Sequence, residues 1–167
     1  MGYDTQFRGR FDLDKKLTDA HATYLQRFAD VRHTKRDAEI AGKFPDPIRE
    51  AVGLPIGSQG MYFTGTTADF RHDEDPSVID YSSQPDGVPS LWCDWIPTKD
   101  SLGIEHDSVR EKFRNYIEWI EFIIEHFLKP WGYMLNGEMR WVGDDVFHDR
   151  GIISVHNNVV TSKPEKP

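Results

Sequence analysis

The chain of 167 residues has a single cysteine, Cys93, so it forms no internal disulfide, and its cysteine usage fits a reducing compartment. The flanking Leu91-Trp92 and Asp94-Trp95 resemble a strand, where a buried and unreactive thiol is expected. Long apolar runs are also missing: no stretch approaches the roughly 20 residues of a membrane-spanning helix. The opening MGYDTQFRGRF lacks the apolar core of a signal peptide, and Gln6 stands where an N-myristoylation signal has Ser or Thr. Basic residues are in deficit, 20 Lys plus Arg against 28 Asp plus Glu, for a formal charge of −8. Such a field repels phosphate backbones on average. These features predict a cytoplasmic protein with no membrane and no nucleic-acid partner.

Motifs of known chemistry are equally scarce. There is no Gly-rich phosphate loop and no GxSxG elbow, and the seven histidines are scattered. His72-Asp73-Glu74-Asp75 and Asp144-Asp145 with His148-Asp149 contain potential metal ligands, but neither has the spacing of a calcium loop or a zinc motif. No catalytic residue, metal or cofactor is therefore assigned. Two alternatives to a binding role stay open: a hydrolase drawing on the carboxylates and histidines of the 69–80 and 144–149 loops, and a structural or assembly protein.

What the chain does have is core-forming material. Hydrophobic residues make up 38%, and five Trp, six Tyr and ten Phe promise a core rich in rings. At this length one domain, residues 1–167 with a disordered tail from about 162, can bury roughly two-thirds of the surface its unfolded chain exposes. Residues 3–13 alternate as an opening strand with a bulge at Gly9. Thr18 then caps a helix with Tyr24, Leu25, Phe28 and Val31 on one side, running to about Arg36, so that Arg32, His33, Lys35 and Arg36 suit its negative end. Prolines and glycines punctuate residues 42–60, with a short helix over about 47–52 behind Asp46 and Pro47. Strands are expected at 61–64, 78–81 and 91–96, and an acidic loop at 69–76. A long helix is expected from Ser108, with Glu111 completing a capping box, to a stop at Pro130.

The segment WGYMLNGEMRW, Trp131–Trp141, is the most informative stretch. Asn136-Gly137 is a preferred type I′ hairpin turn, which would pair Leu135 with Glu138, Met134 with Met139 and Tyr133 with Arg140. One face then carries Met134, Met139 and Trp141 toward the core, and the other carries Tyr133, Glu138 and Arg140. Alternation through Leu91–Ile96 would add Trp92 and Asp94 to that second face. An open surface of Trp92, Asp94, Tyr133, Glu138 and Arg140 suits a flat or sugar-bearing polar ligand, or a protein partner rich in the same groups.

Several segments, GYDTQFRGRFDL, FPDPIREAVGLPIG, LWCDWIPT, LKPWGYMLNGEMRW and GIISVHNNVV, give the chain a resemblance over nearly its full length to a set of small bacteriophage and bacterial proteins without assigned activity. That resemblance transfers no functional residue. It implies a setting: an accessory protein in a bacterial cytoplasm, encoded by a phage or its host. The element order predicts an α+β fold, an antiparallel sheet with two main helices on one face, in a ferredoxin-like arrangement as its more specific form. The expected function is a non-catalytic binding protein that sequesters a small nucleotide-like ligand or blocks a bacterial host protein.

Overall fold

The computed structural model describes residues 3–65, 75–110 and 112–166. In chain order the strands are β1 (Thr5–Gly9), β2 (Phe11–Leu13), β3 (Lys35–Arg36), β4 (Val78–Asp80), β5 (Trp95–Pro97), β6 (Gly103–His106), β7 (Leu135–Gly143), β8 (Arg150–His156) and β9 (Val159–Pro164). The helices are α1 (Asp19–Asp30), α2 (Ala38–Ala41), α3 (Pro47–Ala51) and α4 (Tyr116–Ile123). The fold is α+β. Two compact units divide the chain, one formed by Met1–Leu17 with Asp94–Pro167 and the other by Thr18–Cys93. Among the described residues, no helix is long and apolar enough to cross a membrane.

In the first unit the sheet order is β5-β6-β2-β7-β8-β9, with β1 also paired to β7. Every pairing is antiparallel, so the parallel crossover of a ferredoxin-like split βαβ motif does not occur among the described strands. β1 and β2 follow one another along the same partner, Gly9 facing Met139 and Asp12 facing Asn136. The expected irregularity at Gly9 is present: its φ is +107°, and a Cβ there would sit 3.2 Å from the Glu138 carbonyl oxygen.

The expected hairpin at Asn136-Gly137 does not form. Both residues lie inside β7, Asn136 opposite Asp12 and Gly137 opposite Val155. The tight turn is at Asn157-Asn158, with φ of 47° and 70°, closing the pair His156 and Val159. That is a two-residue connection with both central residues in the left-handed region, as a type I′ turn requires. Side chains explain the choice. Asn158 Oδ1 accepts from the Leu135 amide at 2.7 Å and its Nδ2 donates to the Tyr133 carbonyl at 2.9 Å, while Asn136 Oδ1 accepts from the Asn157 amide at 2.8 Å. The asparagine that sequence reasoning placed in the turn braces the turn instead. Of the expected core face, Met139 and Trp141 are buried with Ile153 and Val155, but Met134 is exposed.

The helix expected from Ser108 starts at Tyr116. Lys112 and Asn115 take φ of 62° and 56°, which breaks the run, and Val109 is 86% exposed rather than part of an apolar stripe. Glu111, the other half of the expected capping box, lies outside the described residues. From Trp119 onward the stripe holds, with Ile120, Ile123, Ile124, Phe127 and Leu128 all buried. Pro130 does not stop the helix. A π-helical turn over Ile124–Leu128 leads into Lys129–Trp131, and this wider turn needs no amide from Pro130 and draws carbonyls away from its ring. Gly132, at φ +87°, ends it in a Schellman cap: the Tyr133 amide donates to Leu128 O at 2.8 Å and the Gly132 amide to Lys129 O at 3.1 Å. The start of α4 meets the sheet through rings, Trp95 Nε1 donating to Tyr116 O at 2.9 Å. Phe7, Phe113 and Trp141 close around the same point. The C-terminal strand continues to Pro164, through part of the segment expected to be disordered.

The second unit begins as expected with Thr18, whose Oγ1 accepts from the His21 amide at 3.1 Å. Tyr24, Leu25, Phe28 and Ala29 are the buried side of α1. The helix stops at Asp30, earlier than its pattern suggests, and Val31 is already extended. Asp46 precedes α3 without capping it. It is 1% exposed and accepts instead from Arg49 Nε (2.8 Å), the Thr64 amide (3.1 Å) and Thr64 Oγ1 (2.9 Å). This pins residues 61–64 as an irregular segment rather than the expected strand. β3 and β4 form a separate two-stranded sheet. The acidic loop expected at 69–76 lies outside the described residues except for Asp75 and Pro76.

Candidate functional site

Of the five residues read as one binding face, the structure brings two together. Glu138 and Arg140 project from the exposed face of β7, where Arg140 Nη1 donates to both Glu165 carboxylate oxygens at 2.6 and 2.7 Å. Tyr133 precedes β7 and is 3% exposed, with Lys15 Nζ 5.1 Å from its ring centre. Trp92 belongs to the other unit. Asp94 is also 3% exposed, because Cys93, Asp94 and Trp95 are buried in succession and the strand pattern expected from Leu91 starts only at Trp95. Burial pushes the Asp94 carboxyl up to about 6; Arg110, with Nε 4.0 Å away, opposes the rise and Asp107 adds to it.

A more concentrated site lies in the second unit, in a cavity of about 240 Å3 lined by three arginines. Its construction starts where α1 ends. His33 sits 2.8 Å from the Phe28 carbonyl, and its ring packs at a tilt against the Phe28 ring with centres 4.1 Å apart, closing the helix end from outside. Burial drives the His33 pKa down to about 4, opposed by that carbonyl and helped by Arg36, so the ring is neutral and Nε2 carries the donated proton. With the chain extended beyond Val31, alternate residues share a side. Arg32, Thr34 and Arg36 all reach the cavity from this segment, and Arg27 reaches it from the last turn of α1.

Each guanidinium is held in place. Arg27 Nε donates to Thr64 O at 3.1 Å, and Arg32 Nε donates to Tyr81 O at 3.1 Å while its guanidinium lies 4.2 Å from the Tyr81 ring centre. Arg36 Nη1 donates to Asp75 Oδ2 at 2.9 Å and meets Ser77 Oγ at 2.7 Å, 4.6 Å from the Phe63 ring centre. Burial works against ionised Asp75, but the Ser77 hydroxyl and amide and Arg36 outweigh it and hold the carboxyl below its ordinary range. Arg36 is thus neutralised. Arg27 and Arg32 pair with no carboxylate among the described residues. Anchoring at Nε fixes the plane of each group and leaves its terminal nitrogens as donors. Thr34 is 3% exposed, and its buried Oγ1 has no hydrogen-bond partner among the described residues. A buried hydroxyl left unmatched opposes folding, which makes its position in a cationic cavity informative.

Sequence reasoning missed this site because it counted Arg32, His33, Lys35 and Arg36 as the basic end of a helix. The legible signal was the alternation Arg32-x-Thr34-x-Arg36, which has meaning only in an extended chain.

The acidic loop after β7 is occupied structurally. Tyr3 OH donates to Asp149 Oδ2 at 2.5 Å, Trp141 Nε1 donates to Asp149 Oδ1 at 2.9 Å, and the Asp4 amide donates to Asp144 Oδ2 at 2.8 Å. Asp145 Oδ1 lies 3.0 Å from His148 Nδ1. The partner loop of the hydrolase alternative, with His72, Asp73 and Glu74, lies outside the described residues. No protein family, curated protein or solved structure matches the chain.

Proposed function

We propose that this protein is a binding module that sequesters a small anionic, nucleotide-like ligand in the arginine-lined cavity of its Thr18–Cys93 unit. The observation that carries this reading is the pair Arg27 and Arg32, two oriented guanidinium groups without a carboxylate partner among the described residues of a chain whose charge is −8. Cations in an acidic protein ordinarily find carboxylates; two that are held by backbone carbonyls and face a cavity are suited to an external anion. Val31, Phe63 and Val78 add apolar lining beside the arginines. In the bacterial or phage setting implied by the sequence resemblance, removing such a ligand from solution is the role that fits.

Isothermal titration calorimetry with adenosine 5′-monophosphate at low salt tests the reading. The protein should bind, and the double variant Arg27→Ala/Arg32→Ala should lose about 2–5 kcal/mol of affinity with its stability changed by no more than about 1 kcal/mol. Absence of binding to the parent protein, or unchanged binding by the double variant, removes the proposal. A second reading, contact with a bacterial protein, is favoured at one place: Arg8 lies directly opposite Arg140 on the open face of the first unit's sheet. Glu165 already pairs with Arg140, so Arg8 is the cation there that a partner carboxylate would meet.

A further inference from the structure

Resting on the ligand reading above, we infer that the cavity selects a phosphate monoester in its doubly charged form over a phosphodiester. Charge and donor matching favour the monoester. Arg36 is cancelled by Asp75, so among the described residues the cavity presents the two positive charges of Arg27 and Arg32. A monoester carries close to two negative charges at neutral pH, with a second pKa of about 6, and has three terminal oxygens. The two guanidinium forks, anchored at Nε, offer their terminal nitrogens to those three oxygens. A diester has one charge and two terminal oxygens. Binding it would desolvate one guanidinium without a counter-charge and leave one donor unmatched, and an uncompensated charge in a partly dry site is costly.

The ligand, rather than the protein, should therefore set the pH dependence. Among the described residues, the charged and titratable groups facing the cavity are Arg27 from α1, Arg32 and Arg36 from the extended segment, and Asp75 and Tyr81 from the opposite side. Despite its burial, Asp75 is held below the ordinary carboxylate range by Ser77 and Arg36, so it remains ionised in mildly acid solution. His33 points away to the Phe28 carbonyl and, buried, stays neutral there.

The experiment compares adenosine 5′-monophosphate with adenosine 3′,5′-cyclic monophosphate on the intact protein. The two share the base and differ in phosphate charge and in esterification of the 3′-oxygen; the pH series isolates the charge. At about pH 7.5 the monoester should bind at least about tenfold more tightly; as pH falls to about 5 its affinity should drop roughly tenfold toward that of the cyclic diester, whose own affinity should stay flat. Equal affinities at about pH 7.5, or a preference that survives undiminished at about pH 5, overturns charge selection while leaving the ligand reading intact. A parallel fall for both nucleotides places the titration in the protein and also overturns it. Failure of both to bind removes the underlying ligand reading.

Discussion

Replacing Asn158 separates the two things that its position asks of a side chain. At φ 70° it occupies the left-handed region, which asparagine tolerates and alanine enters at a cost of about 1 kcal/mol. Its carboxamide also accepts from the amide of Leu135 and donates to the carbonyl of Tyr133, both fully or nearly buried residues. Losing these bonds leaves a buried amide unmatched, worth about 1–3 kcal/mol. Asn158→Ala should therefore destabilise by about 2–4 kcal/mol, and Asn158→Gly, which accepts the backbone angle but restores no hydrogen bond, by about 1 kcal/mol less. Asn136→Ala loses one bond to the Asn157 amide, about 0.5–1.5 kcal/mol. Urea denaturation of the three variants measures this, provided the slope with denaturant is unchanged. If Asn136→Ala proved the costliest and Asn158→Ala fell within about 0.5 kcal/mol of the parent, the turn would lie at Asn136-Gly137 and the β7 register would be refuted.

Asp46→Ala should destabilise by about 3–5 kcal/mol, because it strands buried Arg49 and removes two bonds to Thr64; a denaturation midpoint close to that of the parent would contradict the burial of this pair. Two groups give opposite pH dependence. Asp94, with its folded pKa raised from 3.8 to about 6, keeps its proton in the folded state while the unfolded chain ionises, so its contribution to stability falls as pH rises through that window. Asp94→Asn should match the parent near the lower limit and become progressively more stable than it toward neutrality, as read from denaturation midpoints across pH; a constant difference would refute the raised value. His33, lowered from 6.5 to about 4, favours the unfolded state as pH falls between those values, so the loss of stability caused by His33→Gln should be largest at neutral pH and shrink in acid.

Local chemistry was legible wherever a short segment supplied its own partners. Thr18 caps α1 and the stripe from Trp119 to Leu128 is buried, because each depends on neighbours within a turn or two of chain. The α+β class followed from the order of such segments. Element ends were less legible. The arrest of α1 at Asp30 and the start of α4 at Tyr116 depend on His33 reaching back to Phe28 and on left-handed angles at Lys112 and Asn115, features that leave no periodic trace.

Strand pairing and the candidate site came from contacts distant in sequence. Asn136-Gly137 and Asn157-Asn158 are both competent turns in isolation; β2 occupies the edge of β7 at Leu135 and Asn136 and so commits the first to a strand, leaving the second to close the hairpin. That shift buries Tyr133 and leaves only Glu138 and Arg140 of the expected platform on an open face. The arginine cavity likewise has no linear signature, since Arg27, Arg32 and Arg36 take their positions from carbonyls at Thr64 and Tyr81 and from a carboxylate at Asp75. Composition and periodicity define which residues prefer to be buried and which segments prefer to be helical or extended. Which surplus cations meet around one space is decided by long-range closure, where each backbone carbonyl can hold only a donor that the rest of the fold has brought within about 3 Å.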